Sequence, residues 1–360
     1  MQNRIVFLAL LFFPLLFAAC DDGPNNTITG SPSDDFIAPD RFTMTYDDHE
    51  VMTPIVTSHS LDEQHPDVDR IVLFIPGSGR NVMDKFDIMT GAAADAGRSV
   101  STWVIGVQFV EDTDLGVYEL EPENLYWLDE AHLWSTGYYA EGQVSGDQSL
   151  EISSFTVLDT LWTRILEQAP NTEVFIMTGN SAGGSCTQHY ATATTIPSQH
   201  PDVKFGFLPS NIVSALYFTA ERAVAGTMDQ FEIPSASEVA SCPGYNSYPF
   251  GLIGLNEYIS QFSDDELRTR YASRDMIYFA GSEDHSNYGQ CQLLMMGEDN
   301  IARNLIYYNY IQHVFGASIT DRQQQVVVEG AEHPGPQIFT TAVYESAMLD
   351  WTPGTSFGGN

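Results

Sequence analysis

Basic side chains are the scarcest feature of this 360-residue chain. Fourteen lysines and arginines stand against 48 acidic residues, and Lys85 and Lys204 are the only lysines. The formal net charge of −34 gives a surface that repels phosphate backbones and anionic lipid faces, so nucleic acid is excluded as a partner. Metal-binding patterns are missing too. The chain has no Asp-x-Asp-x-Asp-Gly loop for calcium and no Cys/His spacing for zinc, so neither a metal nor another cofactor is expected. Internal repeats are absent, as is low complexity beyond the first forty residues. The acidity reads as a solvated surface suited to salty surroundings, with a cationic partner as the sharper alternative.

Long apolar runs are confined to the N-terminus. Ile5 to Ala19 is a run of fifteen residues behind the basic lead Met1-Gln2-Asn3-Arg4. That is short for a membrane span and right for the core of a signal peptide, assigned to residues 1–19. It ends in Leu16-Phe17-Ala18-Ala19-Cys20, which resembles the cleavage box of bacterial lipoproteins. The resemblance implies acylation of Cys20 and a chain lipid-anchored in the bacterial cell envelope, on the periplasmic side or the cell surface. An ordinary cleaved signal with an incidental Cys20 is the alternative. Residues 20–39, rich in Asp, Asn, Gly, Ser and Pro, read as a flexible tether. What remains is long enough for one large domain over 40–352, with a tail at 353–360.

Along that domain strands and helices alternate. Arg41 to Tyr46 and Val51 to Thr57 read as strands around the turn Asp47-Asp48-His49-Glu50. Arg70 to Ile75 is a continuous apolar run, the signature of a strand buried on both faces. A helix over Asn81 to Gly97 and a strand over Ser101 to Gln108 follow. Residues 110–150 are acidic and aromatic (Tyr118, Tyr126, Trp127, Trp134, Tyr138, Tyr139) and too long for a simple connection, so they read as an insertion. A helix is expected from Ser153 or Ser154 to Gln168, then a strand over Glu173 to Thr178 and a helix starting at or after Ser181. Ile212 to Thr219 reads as the next strand and 221–270 as a second insertion. Strand Asp275 to Ala280, helix Asp299 to Phe315, strand Gln325 to Glu329 and helix Gln337 to Leu349 complete the order. The pattern predicts an α/β class: a mostly parallel central sheet flanked by helices. Of the remaining cysteines, Cys186 falls on a helix, where a buried free thiol is usual. Cys242 and Cys291 lie in irregular sequence and are the expected disulfide pair.

Gly179-Asn180-Ser181-Ala182-Gly183 is a weak signal alone. Its position between a strand and a helix makes it a nucleophile elbow, with Gly179 and Gly183 leaving room for a tight turn. A serine hydroxyl needs a base, and the base needs an orienting acid; in folds that carry such an elbow the chain order is Ser, then Asp or Glu, then His. Asp284 follows one late strand and His333 the last. Glu221 is the main rival for the acid and Glu283 a lesser one. Among the other histidines, His132 lies in the aromatic insertion and could touch substrate. The oxyanion donors are expected to be the amides of Ala182 and Ser78, the latter in Pro76-Gly77-Ser78-Gly79. Arg80 and Asn81 either brace that loop or cap the helix after it.

The strand leading into Pro76-Gly77-x-x-Arg80-Asn81, the turn at Gly179 to Gly184, Gly281 to Asp284 and Gly330 to His333 occur in that order. Together they resemble the α/β-hydrolase superfamily over about residues 40–350. Many of its members have His-Gly where this chain has Pro76-Gly77. Ser153-Ser154-Phe155, Cys242-Pro243-Gly244-Tyr245-Asn246 and Cys291-Gln292 resemble a group of secreted hydrolases within it. The resemblance implies esterase-like chemistry on a small ester or acyl substrate. Peptidase or amidase action would be a subordinate version of the same chemistry. The two insertions would supply a lid or pocket wall, their aromatics meeting an apolar group or forming the insertions' own core. The alternative function is a non-catalytic, membrane-tethered binding lipoprotein that keeps the fold.

Overall fold

The computed structural model describes residues 36–129, 132–333 and 336–358. The signal segment, Cys20 and the tether as far as residue 35 lie outside the described residues. Eight strands form the central sheet: β1 Asp40–Tyr46, β2 His49–Thr57, β3 Arg70–Ile75, β4 Thr102–Val107, β5 Val174–Asn180, β6 Lys204–Ser210, β7 Asp275–Gly281 and β8 Gln323–Val328. Their spatial order is β1-β2-β4-β3-β5-β6-β7-β8. The ladders involving β2 are antiparallel and those from β4 across to β8 are parallel. The β1–β2 hairpin closes through Asp47 and Asp48, both left-handed at φ 47° and 66°, which matches the twist of a two-residue turn.

Five helices cover the sheet: α1 Met83–Asp95, α2 Ser154–Gln168, α3 Ala182–Ala193, α4 Asn300–Phe315 and α5 Ala342–Leu349. The pleat of β3 decides which face each covers. Val72 and Phe74 share one apolar cluster with Met89 and Ala93 of α1 and Tyr344, Met348 and Leu349 of α5. Ile71, Leu73 and Ile75 join the opposite cluster, with α2, α3 and α4. There Trp162 of α2 stacks on Phe175 of β5 at 3.7 Å between centroids. The helix caps follow the sequence: Ser153 accepts from Phe155 N and Asp299 from Ala302 N.

Three expectations need correction. Ile212 to Thr219 is not a strand; the strand is β6, just upstream. Its Gly206 and Pro209 look like breakers in sequence. Gly206 instead lets Trp351 and Pro353 pack close, since a Cβ there would lie 2.5 Å from the Trp351 ring. Pro209 sits where the β6–β7 ladder lapses between Phe207 and Ser210. The apolar stretch after it is buried as irregular chain, its amides held by side chains. Ile212 N donates to Asn304, Ser214 N to Ser185, Leu216 N to Gln188 and Phe218 N to Tyr310. The last helix is shorter than expected, because Thr341 caps it by accepting from Tyr344 N. The end of the tether, residues 36–39, is bound rather than free. Ala38 is fully buried, with its N–H donating to Gln108 Oε1 at 2.7 Å. The described part of the tail also folds back, with Trp351 Nε1 donating to Thr355 O.

The insertions are compact. Residues 110–143 carry a three-stranded sheet of short strands, and the second insertion holds a hairpin, Arg222–Ala223 with Phe231–Glu232, and two helices. Cys242 and Cys291 are joined by a disulfide, Cα atoms 5.7 Å apart, which ties the second insertion to the segment after β7. Cys186 is a buried free thiol, its pKa pushed up by burial.

Candidate active site

Ser181 stands between the end of β5 and the start of α3 at φ 58°, ψ −119°. A non-glycine residue in that region is strained. Two backbone bonds hold it there: Ser181 N donates to Ser210 O, and Ser185 N donates to Ser181 O. The turn is possible only because its flanks lack side chains. A Cβ on Gly179 would lie 2.2 Å from Gly183 O, and one on Gly183 would lie 2.1 Å from Ile75 O. The motif's spacing is thus a packing requirement of strand, turn and helix.

His333 follows β8 and Asp284 follows β7, so all three side chains gather at the carboxyl ends of parallel strands. His333 Nε2 lies 2.7 Å from Ser181 Oγ, and His333 Nδ1 lies 2.7 Å from Asp284 Oδ2. All three residues are buried. Burial opposes ionisation of Asp284. Hydrogen bonding and charge from His333, with donation by Asn300 and Ser286, outweigh it and hold the pKa below the ordinary carboxylate value. The groups that support this relay were not foreseen from the residue pattern. Asn180 and Asn211 Nδ2 both donate to His333 O, at 3.3 and 3.1 Å. Asn211 takes a left-handed φ of 45° at the end of β6 and accepts from Gly281 N at 2.9 Å. Asn300 Nδ2 donates to Asp284 Oδ2, and Tyr288 Oη lies 3.1 Å from His333 Nε2. Asparagines are common at turns and helix ends, so nothing in their spacing singles these out.

The rival acids lie elsewhere. Glu221 pairs with His313 Nε2 at 3.3 Å, and Glu283 with exposed His285 at 3.8 Å.

Beside Ser181 is a cavity of about 50 Å³. Ser78 and Ala182 line it, as do Leu133, Val213, Phe250 and Leu293, so both insertions contribute wall. Ala182 is in the first turn of α3, where an N–H has no acceptor within the helix. Of the six insertion aromatics, Tyr138 lines the cavity. Trp127 and Trp134 pack on Phe109 as core, and Tyr118 stacks on Phe36.

A second buried network sits behind Ser78. Arg80, left-handed at φ 52°, donates to Ser78 O at 3.1 Å and to Asp114 at 2.7 Å, and also pairs with Glu111. Glu111 is fully buried and accepts from His132 Nδ1 at 2.7 Å and Trp134 Nε1 at 2.6 Å. Burial raises the Asp114 pKa, although Arg80 beside it favours the charged form. Arg80 is therefore the brace, while Asn81 serves the first turn of α1, accepting from Asp84 N at 3.5 Å.

No protein-family model and no curated protein sequence matches the chain. Solved structures do. LpqC, a poly(3-hydroxybutyrate) depolymerase from Bordetella parapertussis, is similar at 17% identity and a TM-score of 0.55, over 88% of this chain and 91% of its own. Poly(aspartic acid) hydrolase-1 from Sphingomonas sp. KT-1 is similar at 14% identity and a TM-score of 0.53, over 87% of this chain and 100% of its own. By its strand order, the turn at Ser181 and these likenesses, the chain has the α/β-hydrolase fold.

Proposed function

We propose that this chain is a serine hydrolase that cleaves carboxylic esters through Ser181, His333 and Asp284. The observation that carries the reading is the relay of two 2.7 Å contacts from Asp284 through His333 to Ser181, beside a cavity lined by Ser78 and Ala182. Ser181 Oγ attacks the ester carbonyl carbon as His333 Nε2 takes its proton. The carbonyl oxygen becomes an oxyanion, received by the amides of Ser78 and Ala182. As the C–O bond breaks, His333 returns the proton to the leaving alcohol, and an acyl-Ser181 remains. Water then attacks the acyl carbon while His333 takes its proton. Collapse frees the carboxylic acid and restores the proton to Ser181. Asp284 balances the charge that forms on His333 and fixes its tautomer. The two similar structures are described as a depolymerase and a hydrolase, which agrees with a hydrolytic reading.

A fluorophosphonate probe tests the nucleophile. Wild-type protein is expected to be labelled and Ser181→Ala to stay unlabelled. A folded wild type that takes no label would end the proposal.

We also propose that Cys20 carries a lipid that anchors the enzyme in a bacterial envelope. Leu16 to Cys20 supports this, and the cavity's ester substrate would then be met outside the cytoplasm. Incorporation of labelled palmitate should be lost in Cys20→Ala. Equal incorporation in both forms would show that Cys20 is not the site.

A further inference from the structure

The cavity wall includes an imidazole whose role the relay does not explain. His132 lines it and is 8% exposed. Its backbone is left-handed, φ 46° and ψ 56°. The tautomer follows from its neighbours. Glu111 Oε1 takes a hydrogen bond from Trp134 Nε1, which can only donate, and the other oxygen pairs with Arg80. A carboxylate so engaged has no proton to give, so His132 Nδ1 carries the hydrogen directed at Glu111. In the neutral ring that leaves Nε2 as an acceptor, and it is buried with no hydrogen-bond partner among the described residues. A buried polar atom without a partner is unfavourable unless something supplies one.

The position of the relay says which part of an ester reaches this ring. His333 must protonate the leaving alcohol, and His333 is not part of the cavity wall. The alcohol therefore departs on the His333 side and the acyl group occupies the cavity. The cavity is small, about 50 Å³, room for a short chain. We infer that His132 is a specificity-determining residue whose Nε2 accepts a hydrogen bond from a donor on a short acyl group, so that the enzyme prefers hydroxyacyl esters to unsubstituted ones. This rests on the serine-hydrolase reading above. His132 takes no part in bond making or breaking.

The test compares ethyl butyrate with ethyl 2-hydroxybutyrate and ethyl 3-hydroxybutyrate, following acid release by the full chain. His132→Asn keeps a side-chain donor near Nδ1 for Glu111 and withdraws the acceptor from the position of Nε2, since its Oδ1 is held close to the backbone; His132→Phe removes both. The measured quantity is the kcat/KM ratio, hydroxylated over plain, in wild type relative to variant, which cancels the intrinsic reactivity of each ester. At least one hydroxylated ester should show a ratio about tenfold or more higher in wild type than in His132→Asn, the equivalent of one hydrogen bond. His132→Phe should match His132→Asn in selectivity even if it is less stable. A ratio unchanged in His132→Asn for both esters overturns the inference. Fluorophosphonate labelling of Ser181 without turnover of any of the three esters overturns it too, and leaves the nucleophile standing. Absence of labelling would instead remove the underlying serine-hydrolase reading.

Discussion

Asp284→Asn is expected to lower kcat by about four orders of magnitude while leaving KM near wild type. Asp284 Oδ2 receives both His333 Nδ1 and Asn300 Nδ2, and Oδ1 receives Ser286 N. A carboxamide cannot reproduce that. With its nitrogen toward His333, the ring must put its hydrogen on Nε2 and can no longer take the proton of Ser181. With its oxygen there, the tautomer survives but the charge that balances the imidazolium is gone. KM should hold because Asp284 does not line the cavity. The acid limb of stability should change as well. The folded pKa of Asp284 is depressed, so its contribution is fully present above the ordinary carboxylate pKa of about 4. It is lost as pH falls through the lower folded value. The variant should lack that loss. Steady-state kinetics beside a melting curve at each pH would decide. If Glu221→Gln collapsed turnover and Asp284→Asn did not, the acid would be misassigned.

Glu111→Gln should cost about 3 kcal/mol of stability and weaken kcat/KM together with it. The glutamate is fully buried, with Arg80 on one oxygen and His132 and Trp134 on the other. A glutamine must turn its NH2 toward one of these sides, and each side holds a donor that cannot accept, Arg80 on one and Trp134 Nε1 on the other. The charge of Arg80 keeps Asp114 as a partner, which places the loss at the lower end for a broken buried pair. Activity should fall because Glu111 holds the cavity residue His132 directly and the Ser78 loop through Arg80. Guanidinium unfolding with unchanged slope would measure the first effect. A midpoint shift worth under about 0.5 kcal/mol would show that the network contributes little.

The scaffold was legible wherever one local rule governed it. The six residues of β3 read as a doubly buried strand because burial on both faces leaves no alternation to hide. Ser153 and Asp299 marked helix starts because a cap is a contact between near neighbours. The order Ser181, Asp284, His333 was visible because each residue follows its own strand. Rules that depend on the far side of the fold were not visible. Gly206 owes its place in β6 to Trp351, far along the chain, which rests against it. Ile212 to Thr219 looked like a strand because the run is apolar, yet amides along it are met by side chains of α3 and α4. Glu111 gathers Arg80, His132 and Trp134 from separations of 21 to 31 residues, a grouping that no spacing pattern encodes. The asparagines around His333 were hidden for the same reason.

That irregular stretch after β6 has a further meaning for how the cavity could be altered. Val213 and Ser214 face the cavity, but their path is set by Asn304 and Tyr310 on α4 and by Ser185 and Gln188 on α3. A ladder partner would fix such a wall against many changes, since backbone pairing tolerates most side chains. Here the wall is addressed one amide at a time, largely from residues outside the cavity. Selection for a new cavity shape could therefore act on α4 without touching the wall itself, and a mutagenesis library restricted to lining positions would pass over that route.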